Sequence, residues 1–157
     1  MNIRRLPIVA AALASALTVS QSDALDSNQL AGLPPLFAVL SGGNEVTNDG
    51  QANVGDPNGR GSATVILHDS NTLCFAILVT GIDQPTAAHI HQAPAGVKGP
   101  IVVGLVEPSD GNPGTSTGCT TEVDQEVLKA IRNEPAGFYV NVHTVQFPDG
   151  ALRGQLF

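Results

Sequence analysis

Three histidines fall in two short strand-like segments, Ala87-Ala88-His89-Ile90-His91 and Tyr139-Val140-Asn141-Val142-His143-Thr144. Alternate side chains of an extended strand share a face, so His89 and His91 point one way and Ala88 and Ile90 the other. By the same alternation Val140 and Val142 face inward, while Tyr139, Asn141 and His143 face out. Imidazole is the commonest side-chain metal ligand and the usual proton carrier near neutral pH. Three ring nitrogens with an open fourth position form the donor set of catalytic zinc sites; imidazole also suits copper, which outranks zinc in a simple nitrogen site. His89, His91 and His143 are therefore the candidate ligands for one copper or zinc ion. Asn141, Tyr139 and Gln92 are candidates to hydrogen-bond and orient them. Glu45 is the best acidic candidate for a fourth ligand or a hydrogen-bond partner. The competing expectation is that the imidazoles bond only to backbone and to one another. His68, at a hairpin edge, is expected to be a solvated turn residue.

Other chemistries find little support. Asp56-Pro57-Asn58-Gly59-Arg60-Gly61 begins like a calcium loop, but Arg60 takes a ligand position and Leu67 stands where the bidentate Glu is required. Gly59-Arg60-Gly61 lacks the further glycines and the strand–helix setting of a dinucleotide loop. No serine is placed by sequence beside a His and an acid, and there is no motif of paired carboxylates, so hydrolytic chemistry is unsupported and no reaction is specified.

The histidines need a scaffold. Short apolar or alternating runs at 36–40, 62–68, 73–80, 87–91, 101–106, 138–144 and 152–157 are separated by Gly, Pro, Asn and Asp clusters and read as strands. About seven such strands predict an all-β fold, an antiparallel Greek-key β-sandwich of immunoglobulin or superoxide-dismutase type. One short helix is expected over Glu122–Asn133, where Val123, Val127, Leu128 and Ile131 form a stripe and Thr121 with Asp124 resembles a capping pair. His68–Thr72 should form a hairpin, and Pro148-Asp149-Gly150 is a turn signal with a fixed φ at Pro and a free φ at Gly. The last two strands then become neighbours, which puts Arg153 on a polar face near Asn141 and His143. The stretch 42–61 is too polar for a core and too long for an ordinary connection, so it is expected to be mobile or functional.

Arg4 and Arg5, an apolar run from Leu6 to Val19, and Ser22-Asp23-Ala24 match a secretory signal peptide over residues 1–24. The run is short for a membrane span of about 20 residues, so no membrane association is expected after cleavage. Residues 25–35 read as a linker and 36–157 as one domain. The chain carries a net charge of −7, and removal of a leader with two arginines makes the remainder more acidic. Such a surface repels phosphate backbones, which excludes nucleic acid as a natural partner. Cys74 and Cys119 are the only cysteines, and in an exported chain they are expected to form a disulfide. A secreted or periplasmic location follows from the same features.

Four ordered motifs carry a resemblance. Leu40-Ser41-Gly42-Gly43-Asn44-Glu45-Val46, Ala87-Ala88-His89-Ile90-His91, Tyr139-Val140-Asn141-Val142-His143-Thr144 and Phe147-Pro148-Asp149-Gly150-Ala151-Leu152-Arg153-Gly154-Gln155-Leu156 together resemble the chordin-type (CHRD) domain. The resemblance covers roughly Leu36 to Phe157 and implies an exported β-sandwich, without implying an activity. Thr47-Asn48-Asp49, Gln92 and Ala151 depart from the family's usual residues. A partial likeness to copper–zinc superoxide dismutase stops at ligand count, because a binuclear site needs six histidines and a carboxylate and the chain holds four histidines. Two functions are therefore weighed: a secreted protein binding one copper or zinc ion in a redox or carrier role, and an extracellular protein-interaction or adhesion module without metal or catalysis.

Overall fold

The computed structural model describes residues 33–157; the expected leader and most of the expected linker lie outside the described residues. Eight strands form in chain order: β1 (Leu36–Ser41), β2 (Arg60–Asp69), β3 (Thr72–Thr80), β4 (Pro85–Gln92), β5 (Ile101–Leu105), β6 (Gly114–Thr120), β7 (Phe138–Thr144) and β8 (Leu152–Gln155). All pairings are antiparallel, and the sheet runs β5-β4-β7-β8-β1-β2-β3-β6. The sheet curls until its two edges meet. There the Thr120 hydroxyl on β6 donates to the Gly104 carbonyl on β5 at 2.7 Å. Strands β4, β5 and β6 follow one another around the curl and β7 returns beside β4, which is the Greek-key order. The all-β Greek-key architecture is thus present, with its two layers formed by halves of one continuous, nearly barrel-shaped sheet.

Alternation decides what fills the interior. Ala63, Val65 and Leu67 of β2, Leu73, Phe75, Ile77 and Val79 of β3, and Val140 and Val142 of β7 are buried in one cluster. Strand β6 escaped the sequence reading because Gly-Thr-Ser-Thr-Gly-Cys-Thr offers no apolar alternation. Pairing with β3 supplies its stability instead, including the disulfide between the directly opposed Cys74 and Cys119.

The helix, α1 (Gln125–Asn133), starts three residues later than its apolar stripe suggests. Glu122 has φ of 60°, outside helical space, and the Val123 amide is already bonded to the Asn71 carbonyl. Asp124 is the cap, accepting from the Glu126 amide at 2.8 Å. Nine residues are too few to hold a helix alone. Leu128 and Ile131 are both fully buried, each contributing about 1.5–3 kcal/mol of transfer free energy, and this anchors it.

The segment 42–61 is ordered against the sheet. A 3-10 turn at Gly42–Asn44 and a bridge between Val46 and Ala52 shape it, and Glu45, Val46 and Asp56 are buried. Gly42 permits this, because a Cβ there would lie 1.9 Å from the Asp56 carbonyl oxygen. The outer face of β7 is consequently covered: Tyr139 and Asn141 point outward, as alternation requires, yet each is only 1% exposed.

Candidate metal centre

Strand β4 pairs directly with β7, and this neighbourhood brings the three imidazoles together. The register sets His89 opposite Asn141, His91 opposite Tyr139 and Ala87 opposite His143. His143 is thus diagonal to His89 on the same outer face, within the reach of long side chains across a strand pair. Ala88 and Ile90 fill the core side, so the outward aim of His89 and His91 is fixed by burial of their neighbours. One ligand nitrogen from each of His89, His91 and His143 lies within 4.8 Å of the others. Two nitrogens on one tetrahedral zinc at 2.0–2.1 Å stand about 3.3–3.4 Å apart. The widest pair therefore closes by up to about 1.4 Å to share an ion, a change within the reach of side-chain rotation.

Hydrogen bonds orient the rings. His91 Nδ1 lies 2.9 Å from the Gly99 carbonyl, and His143 Nδ1 lies 3.0 Å from the Pro148 carbonyl. Carbonyl oxygens only accept, so each neutral ring carries its hydrogen on Nδ1 and leaves Nε2 as a lone pair. His91 Nε2 is buried and has no partner among the described residues. His143 Nε2 is 3.2 Å from His89 Nδ1, which donates to it while the imidazoles are neutral. Transfer of that hydrogen to His89 Nε2 would free a third lone pair at the same point.

The loops that supply the two carbonyls are tied to each other. Lys98 Nζ pairs with Asp149 Oδ1 at 2.8 Å, joining the segment of Gly99 to the turn of Pro148. Sequence reasoning identified the turn but not this role, because a main-chain carbonyl leaves no mark on residue type. Burial is the first cause holding the pKa of His89 below its ordinary 6.5, with the neighbouring His143 adding to it. Burial likewise lowers His91, partly offset by its bond to Gly99. Both rings therefore stay neutral, and able to coordinate, below the pH at which a free imidazole protonates.

The other candidates take places around this cluster. The Tyr139 ring stacks on His91 with centroids 4.8 Å apart and an 8° tilt, and its hydroxyl accepts from the Gly99 amide at 3.2 Å. The Arg153 guanidinium lies over the same Tyr139 ring, 3.6 Å from its centroid. Asn141 Nδ2 donates to Glu45 Oε2 at 2.6 Å and to the Leu152 carbonyl at 2.7 Å. Glu45 Oε1 accepts from the Val46 amide, so this carboxylate braces Asn141 and stands apart from the cluster of ligand atoms. Gly150, at φ of 146°, lets that pair approach, since a Cβ there would sit 2.1 Å from Glu45 Oε2. Gln92 is exposed, and its main chain, not its side chain, contacts the loop through the Pro100 carbonyl. His68 is exposed near the end of β2 and takes no part in the cluster.

A curled antiparallel domain with an outward three-imidazole cluster framed by loop carbonyls is the class that fold and site define. The chain belongs to the CHRD domain family, whose profile matches residues 36–156. No curated protein matches the chain. Among the described residues no helix is long and apolar enough to cross a membrane.

Proposed function

We propose that this is an exported CHRD-domain protein that binds one copper or zinc ion through His89, His91 and His143. The observation that carries the reading is the buried, unpartnered Nε2 of His91 within reach of two further imidazole nitrogens. A buried lone pair with no donor costs free energy, and a cation removes that cost. Copper and zinc both suit three nitrogen donors with an open position, and either leaves room for an exchangeable ligand. Export rests on the leader expected over residues 1–24, and the Cys74–Cys119 disulfide agrees with it.

Equilibrium dialysis of the mature chain against copper or zinc tests the reading. One tightly held equivalent at pH 7.5 is expected; a substoichiometric, readily washed ion defeats it. Because only neutral imidazole coordinates, metal should be retained above the ordinary pKa of 6.5 and lost as acid protonates the ligands, the lowered values of His89 and His91 moving that loss to lower pH. Equal retention at pH 5 and pH 7.5 contradicts histidine ligation. The sign is the same for the metal-free fold. Its depressed imidazoles contribute stability that is complete above 6.5 and declines as pH falls from there through their folded-state values.

A second reading, an interaction module, is favoured by one feature. Phe37, Val39, Ile66 and Leu78 are exposed on the outer face of β1, β2 and β3, where an apolar partner surface can rest. Binding of a defined protein partner that survives chelation would favour it.

A further inference from the structure

We propose that the outer face of β1, β2, β3 and β6 docks on the same face of a second copy of this chain, giving a weak two-fold dimer. The inference stands apart from the imidazoles, which hang from β4 and β7, and holds with or without an ion.

Three ladder rows build this face. Phe37, Thr64, Ala76 and Thr117 stand side by side in one, and main-chain bonds in both directions between Phe37 and Phe157 extend it by a second phenyl ring. The two ring centroids lie 6.4 Å apart. Val39, Ser62, Leu78 and Thr115 form the middle row. Ile66 and the bridged Cys74 and Cys119 form the third. No side chain in these rows is charged, although the chain carries 14 acidic residues against 7 basic ones. Arg60, at one end of β2, is folded onto the Pro57 and Gly59 carbonyls. Nothing among the described residues covers the face. Val39 is 66% exposed, and Phe37 and Leu78 are nearly half exposed, whereas the outer face of β7 is closed over Tyr139 and Asn141.

Charge and pattern decide the occupant. A cationic partner is drawn to the acidic remainder of the surface and not to this neutral plane. Acyl chains would strand the hydroxyls of Ser62, Thr64, Thr115 and Thr117, which interleave with the apolar side chains. A second copy presents the same mixture of apolar groups and hydroxyls, and this is the side on which two acidic molecules meet without like charges in contact. Sheets pack face to face in this manner at about 10 Å. Five strands about 4.8 Å apart and three rows about 6.8 Å apart span, with their side chains, roughly 25 Å by 20 Å. Two such faces in contact bury on the order of 1,000 Å² in total, the lower bound for a specific interface. The dimer is therefore reversible and not obligate.

Sedimentation velocity of the metal-free mature chain, from about 5 µM to about 1 mM, reads the association. A dimer with Kd of about 10–100 µM is expected, and it should tighten as sodium chloride rises from about 20 to about 200 mM, because the copies carry like charge. Val39 and Leu78 flank Ser62 in the middle row, and two-fold symmetry brings any charge placed there into the interface twice. Val39→Glu and Leu78→Glu, both at exposed sites, should each weaken the dimer by at least about tenfold with unchanged circular dichroism. Val145→Glu adds the same charge at an 82% exposed site past the end of β7, and should leave Kd within about twofold. A chain that stays monomeric throughout, a dimer that loosens as salt rises, or equal weakening by Val145→Glu would overturn the proposal. So would a monomer that adsorbs to phosphatidylcholine vesicles through this face.

Discussion

His89→Ala combined with His143→Ala is expected to abolish stoichiometric metal binding while leaving the domain folded. Removing hydrogen-bond partners behind a metal ligand typically costs 10–100-fold in affinity, and here two of three direct ligands go, so the loss should exceed about a hundredfold. Structure should tolerate the change. Both rings lie on the outer face and are only half-buried, so their truncation opens no core cavity and should cost roughly 1 kcal/mol or less. His68→Ala is the control: exposed and outside the cluster, it should leave metal content unchanged. Elemental analysis after gel filtration, with circular dichroism on the same samples, reads both quantities. Undiminished metal in the double variant would assign the ion elsewhere.

Cys74→Ser with Cys119→Ser should produce the largest loss of stability at no cost to metal stoichiometry. The disulfide joins residues 45 apart in sequence, and the chain-entropy account assigns closure of such a loop about 4 kcal/mol. For a domain of this size that corresponds to a fall in Tm of roughly 10–15 °C. The bond fastens β3 to β6, whereas the imidazoles hang from β4 and β7. Lower Tm with one metal equivalent retained is therefore the expected pair of results, measured by calorimetry and dialysis. A change of less than about 1 kcal/mol would mean that the β3–β6 ladder and the seam to β5 already restrict the unfolded chain as the disulfide would.

Much of this was legible in residue type. Apolar alternation located β2, β3, β4 and β7, because one face of each packs into the core and the pattern repeats every second residue. The same alternation placed His89 and His91 on one face and paired Val140 with Val142 on the other. Pro148-Asp149-Gly150 announced the turn that makes β8 a neighbour of β7, and hence the approach of Arg153 to Asn141, which it faces in register. Ordered motifs beyond alternation pointed to the CHRD family, and the profile match bears that out.

What was not legible is long-range. Nothing local says that β4 pairs with β7, so the meeting of His89 with His143 across 54 positions could only be conjectured from residue types. Strand β6 is polar and held by its partner, which leaves no trace in its own sequence. Alternation also assigns a face without saying what covers it. Tyr139 and Asn141 were correctly directed outward, yet the polar segment 42–61 and the loops at 93–100 and 146–150 bury them. Glu45 illustrates the limit from the other side: residue type left a fourth ligand and a hydrogen-bond partner both open, and its buried carboxylate accepts from Asn141.

The central claim is that three imidazole nitrogens converge on one ion, and the most direct measurement is electron paramagnetic resonance of the chain loaded with one equivalent of copper(II) at pH 7.5. Nitrogen hyperfine structure from three equatorial donors is predicted, falling to two in His91→Ala. A spectrum of hydrated copper, or a nitrogen count identical in His89→Ala, His91→Ala and His143→Ala, would contradict it.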